Sequence, residues 1–102
     1  GIVIVGASSG IGAEIARVHS KTKDTYLVLA SRRRDMLEEV ASQCKEIGAA
    51  DVLVVTADAT DIQQCQDLMA RAADWLGGYI DIVYYVAGQA MHALFHEITE
   101  IK

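Results

Sequence analysis

Seven residues near the start of the chain, Gly6-Ala7-Ser8-Ser9-Gly10-Ile11-Gly12, combine backbone that can turn tightly with donors that can face one crevice. They follow the apolar run Ile2-Val3-Ile4-Val5 and precede residues at helical spacing, which puts the glycines on a strand-to-helix turn. Gly6 lets the chain turn off the strand, Gly10 lets backbone approach a ligand, and Gly12 lets the helix pack against the sheet. Free N–H groups and the positive end of the helix dipole then make a site for a pyrophosphate, within reach of the Ser8 and Ser9 hydroxyls. The bland alternative is a glycine-rich turn that holds nothing. The spacing G-x-x-x-G-x-G also departs from G-x-G-x-x-G, and the Gly-Lys-Ser/Thr of a P-loop is missing.

Two other places offer matching chemistry. A second apolar run ends Leu29-Ala30-Ser31-Arg32-Arg33-Arg34, and the first acid after it is Asp35. In dinucleotide sites an acid at such a strand end holds a ribose 2′-hydroxyl, whereas arginine accommodates a 2′-phosphate. Arg32, beside Ser31 and supported by Arg33, is therefore the expected partner of the phosphate or stacks on the adenine, which predicts NADP over NAD. The alternative is a solvated charge run at a helix start, where three arginines oppose the dipole unless an anion compensates. Asp58 and Ala59 follow a third apolar run at its carboxyl end, the ligand side of an open parallel sheet. The competing role for Asp58 is that of a turn residue before Thr60, which with Gln63 spells a capping box.

The elements that must position these residues alternate in period. Apolar runs over 2–5, 26–30 and 52–55 read as strands buried on both faces, and 80–86 supplies a fourth strand, apolar on both faces from Ile82. Between them lie helical stripes: Ile11, Ile15 and Val18; Leu37, Val40, Ala41 and Cys44; Ile62, Cys65, Met69, Ala72 and Leu76. Gly48 and the pair Gly77-Gly78 supply stops. This β-α-β-α-β-α-β order predicts an α/β fold: a Rossmann-like parallel sheet in a three-layer αβα sandwich, its four strands ordered 3-2-1-4.

Composition narrows the partners. The chain has 102 residues, 52% apolar and 23% charged, with a net charge of −5. That fits a single domain spanning 1–102 and argues against nucleic acid, which needs a basic face. No apolar run approaches the ~20 residues of a membrane span. Any signal or anchor upstream of Gly1 is invisible, not absent, so the location stays open: cytoplasmic, or endoplasmic reticulum-associated if such an anchor exists. Cys44 and Cys65 sit among apolar residues, where core packing outweighs a reactive thiol or a disulfide. His92 and His96, four apart, read as a solvated pair more readily than as metal ligands, and His19 as a cap for nearby carbonyls.

Through Gly6–Gly12 the sequence resembles the short-chain dehydrogenase/reductase family, whose cofactor loop this string matches nearly letter for letter. The resemblance runs along the whole chain, through Asp58 and through Asp81 to Ala87-Gly88, and the run over 27–40 looks most like the hydroxysteroid dehydrogenase branch. It implies that Asp58 accepts a hydrogen bond from the adenine amino group. It further implies that the Ala59 backbone helps hold the ring and that Val86, Ala87 and Gly88 approach the ribose. One departure stands out: the family's Asn-Asn-Ala-Gly is here Tyr85-Val86-Ala87-Gly88, so two amides are lost.

The family's proton donor, a Tyr-x-x-x-Lys pair with an upstream serine, is absent: Tyr26, Tyr79, Tyr84 and Tyr85 are followed four residues on by Ala30, Val83, Gly88 and Gln89. No catalytic residue can be named. The expectation is therefore the cofactor-binding part of a longer NADP-dependent oxidoreductase. The parent would act on a small-molecule carbonyl or alcohol, form a homo-oligomer when complete, and leave this portion inactive alone. A dinucleotide-binding or scaffold domain that lost its chemistry is the rival; a methyltransferase fits the glycine spacing less well and gives the arginines no phosphate. The run Ile82-Val83-Tyr84-Tyr85-Val86, apolar on both faces, is expected to leave an edge prone to association.

Overall fold

Successive residues of a strand point to opposite faces, so a run that is apolar at every position needs cover on both. The computed structural model, which describes residues 1–8 and 10–86, buries all of β1 (Ile2–Val5) in this way. β2 (Tyr26–Ser31), β3 (Asp51–Thr56) and β4 (Ile82–Tyr85) join it in a four-stranded parallel sheet of order β3-β2-β1-β4. Val5 stands opposite both Ala30 and Tyr85, and Ser31 opposite Thr56, which brings the carboxyl ends of the strands to one side of the molecule. The fold is the Rossmann-like three-layer arrangement expected from the alternation.

Helices α1 (Gly10–His19) and α2 (Arg34–Ile47) cover one face, packing Ala13, Ala16, Leu37, Val40 and Cys44 on Ile2, Ile4, Leu27 and Leu29. Helix α3 (Ile62–Trp75) covers the other, packing Cys65, Leu68 and Ala72 on Val3, Val5, Val28 and Val55. Both cysteines are buried free thiols, and burial pushes each above its ordinary pKa. Gly48 ends α2 with φ 145°, its N–H on the Cys44 carbonyl at 3.1 Å, and Gly77 and Gly78 follow α3 at φ 80° and 93°. No helix among the described residues is long and apolar enough to cross a membrane.

Several expectations need correction. β4 starts at Ile82, not at residue 80, because β1 begins at Ile2; the Asp81 and Ile82 amides already meet the Gly1 carbonyl. The buried face of α1 is Gly12, Ala13 and Ala16, with Ile15 of the expected stripe partly buried against the same core, whereas Ile11 is 74% and Val18 51% exposed. On α3 the face centres on Leu68, and Ile62 is exposed. The cap of α3 is Asp61, whose carboxylate accepts the Gln63 and Gln64 amides, and not Thr60. His19 caps nothing at its helix end: its Nε2 meets the Tyr84 hydroxyl at 2.7 Å, linking α1 to β4. Tyr84 and Tyr85 pack on opposite faces of the sheet, as strand residues do. The pair His92 and His96 lies outside the described residues.

The corrected face of α1 is testable by paired substitutions. Ala16→Leu, at a fully buried position, should overpack and cost about 1–3 kcal/mol in urea unfolding. Val18→Lys should stay within about 0.5 kcal/mol. The reverse ranking would restore the stripe of large apolar residues as the buried face.

Candidate functional site

The turn after β1 is anchored before it meets any ligand. The Gly6 and Ala7 amides both donate to the Ala30 carbonyl, at 2.8 and 3.2 Å, tying the turn to the end of β2. Gly6 has φ 90° and Gly10 φ 60°, a region that strains most side chains and favours glycine. Gly12 is glycine for a different reason. A Cβ there would lie 2.1 Å from the Gly6 carbonyl oxygen and 3.0 Å from Val86 Cγ2. The helix thus rests on the turn itself and on the end of β4, a tighter fit than packing on the sheet. Around Gly10 a Cβ would meet nothing within 4 Å.

A cleft of ≈ 510 Å³ opens at the carboxyl ends of the strands, a size usual for small-molecule sites. Its lining brings together most of the residues singled out from the sequence: Gly6, Ser8, Ile11, Gly12, Ser31, Arg32, Arg33, Asp58, Ala59 and Val86. Gly10 is not on the wall, and its role is the left-handed backbone conformation that opens α1. Ser9, Ala87 and Gly88 lie outside the described residues. Ala57 and Thr60 also line the cleft and were not foreseen there. The Asp-x-Thr spacing carried the signal for Thr60, since an aspartate readily accepts from backbone two residues on.

Charge is divided across this cleft. Arg32 and Arg33 are exposed at the exit of β2, where the Ser31 hydroxyl accepts the Arg33 amide at 3.1 Å. Arg34 is drawn away to Glu38, one turn along α2, at 3.0 Å. Facing them, Asp58 Oδ1 accepts both the amide and the hydroxyl of Thr60, at 2.9 and 2.6 Å. The Thr60 hydroxyl and then its amide hold the Asp58 carboxyl below its ordinary value, and the charge of Arg32 adds a smaller push the same way. The donor set fits a nucleotide: guanidinium groups for phosphate, a helix start behind the glycine turn, and a carboxylate for an amino group.

A family model described as "short chain dehydrogenase" matches residues 1–102. Curated relatives include "11-beta-hydroxysteroid dehydrogenase-like 3" of Arabidopsis thaliana, 34% identical over 99% of this chain and 32% of its own length. Another is "11-beta-hydroxysteroid dehydrogenase A" of Sesamum indicum, 35% identical over 98% of this chain and 28% of its own. The chain spans about a third or less of the length of these relatives. Among solved structures, an alcohol dehydrogenase from the archaeon Thermococcus sibiricus complexed with 5-hydroxy-NADP superposes with a TM-score of 0.73 at 30% identity. The match covers 80% of this chain and 34% of that one. An NADH-dependent reductase complexed with NAD gives a TM-score of 0.72 at 25% identity, covering 82% and 34%.

Two outcomes follow from this geometry. Gly12→Ala forces backbone apart and should cost more, about 1–3 kcal/mol or above, than Gly10→Ala, where only the positive φ is strained at about 1 kcal/mol. Urea unfolding of both variants ranks them. Because the Asp58 carboxyl is lowered in the folded loop, its contribution is present above the ordinary aspartate range and lost as pH falls through the lowered value. Thr60→Ala should move its titration, followed by carboxyl-carbon NMR, up toward the ordinary value; an unmoved titration would place the cause elsewhere.

Proposed function

The chain belongs to the short-chain dehydrogenase family, and on that premise we propose that it is the NADP(H)-binding part of an oxidoreductase. The observation that carries the cofactor choice is the exit of β2. There Ser31, Arg32 and Arg33 line the same cleft as the glycine turn, with no acid among them. A 2′-phosphate supplies the anion these two guanidinium groups otherwise lack, whereas a bare 2′-hydroxyl leaves like charges facing each other at a helix start. Asp58 and Ala59, on the opposite wall, are placed to receive the adenine, and the start of α1 behind Gly6 and Gly12 to receive the pyrophosphate.

When bound, NADPH supplies a hydride for a carbonyl, and NADP⁺ takes one from an alcohol. The residues of this chain bind and orient it. Val86, at the end of β4, closes the cleft beside Gly12, and Ala87 and Gly88, which follow it in the chain, are proposed as further cofactor-binding residues. The parent protein is proposed to act on a small-molecule carbonyl or alcohol and to assemble as a homo-oligomer. This chain alone is proposed to hold the cofactor without turning over substrate, since its sequence has no Tyr-x-x-x-Lys.

Calorimetric titration with both cofactors tests the assignment. NADP(H) should bind roughly tenfold or more tightly than NAD(H), as expected for charge-assisted hydrogen bonds to one phosphate. Arg32→Ala should remove most of that preference while leaving NAD(H) affinity little changed. Equal affinities in the unaltered chain, or no loss in Arg32→Ala, would overturn it.

A further inference from the structure

Asp58 reaches the cleft from the loop between β3 and α3, and a loop aims a side chain only as well as its backbone is held. The holding group is Gln64. Its Oε1 accepts the Asp58 amide at 2.8 Å, and its Nε2 donates to Asp61 Oδ2 at 3.2 Å. Asp61 in turn uses Oδ1 to cap α3, accepting the Gln63 and Gln64 amides at 2.9 and 3.2 Å. The Asp61 amide closes the circuit on the Asp58 carbonyl at 3.0 Å. Beneath the loop the buried Cys65 thiol lies 3.9 Å from the Asp58 carbonyl oxygen and 3.7 Å from that of Ala59, a weak second support.

We propose that Gln64 is a positioning residue for adenine recognition, its carboxamide bridging the Asp58 amide and the Asp61 carboxylate so that the Asp58 carboxylate meets the adenine amino group. The proposal rests on the nucleotide reading above. Gln64 is exposed and does not line the cleft, so it acts through the loop and not on the ligand. Both ends of the carboxamide are used: one must accept, the other donate. Both Thr60 bonds to Asp58 fall on Oδ1. Oδ2, which takes neither of them, is the acceptor assigned to the base.

The test uses the 102-residue chain and two ligands. One is NADP⁺; the other is its hypoxanthine analogue, in which an oxygen replaces the adenine amino group. The wild-type chain should prefer NADP⁺. Gln64→Ala keeps a strong helix former on the exposed side of α3, and unchanged far-ultraviolet circular dichroism verifies the fold. It should weaken NADP⁺ roughly fivefold while hardly altering the analogue, so that the preference shrinks by the same factor. A preference unchanged by Gln64→Ala, or equal losses for both ligands, overturns the inference alone, whereas a wild-type chain that binds both alike overturns the adenine role of Asp58 together with it. A wild-type chain that binds neither overturns the nucleotide reading and this inference with it.

Discussion

The backbone of α1 comes so near the turn that leaves β1 that a Cβ at Gly12 would sit 2.1 Å from the Gly6 carbonyl oxygen. Much of the site follows from that approach. A helix held so close can bury only small residues, and Ala13 and Ala16 extend the contact begun by Gly12. The same rotation turns Ile11 outward to the rim of the cleft. It also fixes the helix start behind the crevice, where its dipole acts on whatever lies there. At the other end of α1, the His19 to Tyr84 hydrogen bond ties the helix to β4, so the first and last strands share one support.

The parallel register then gathers chemistry that is far apart in the chain. Ala30 anchors the glycine turn through its carbonyl, Ser31 and the arginines follow it directly, and the Ala57 amide bonds the Ser31 carbonyl at 2.9 Å. The cleft therefore has a backbone floor continuous across β1, β2 and β3, with the charges mounted on its walls. Positive groups come from the exit of β2 and a negative one from the exit of β3. That polarity suits a ligand with phosphates at one side and an amino-bearing ring at the other.

Fold class, strand order and most members of the cleft could be read from the residues because they depend on period and on position at strand ends. Ile2-Val3-Ile4-Val5 announces a strand covered twice, and Gly6, Arg32 and Asp58 each fall just past such a run. What the pattern could not reveal was distance. Helical spacing marks Ile11, Ile15 and Val18 as one stripe, yet only the contact at Gly12 decides that its neighbours are the ones buried. The cap of α3 was misplaced by one residue because Thr60 and Asp61 are both good caps; Asp58 had already engaged the threonine. The Gln64 bond to an amide six residues back has no signature of its own in composition or period.

The arginine run separates a solvated charged face from a binding site more sharply than the glycines do. On a solvated face each arginine finds a nearby acid or extends into water, and Arg34 does so by pairing with Glu38 at 3.0 Å. Arg32 and Arg33 make no ion pair among the described residues, although Asp35 follows within three positions. They line the cleft instead, at the start of α2, where the N-cap position is Arg33 and no side chain caps the helix. Two cations without an ion-pair partner at an uncapped helix start are electrostatically unfavourable, and of the acids nearby Asp35 in the first turn forms no ion pair with either. A phosphate in the adjoining cleft would answer both deficits at once, which is why the proposed choice of NADP(H) rests on the exit of β2 more than on the glycine turn.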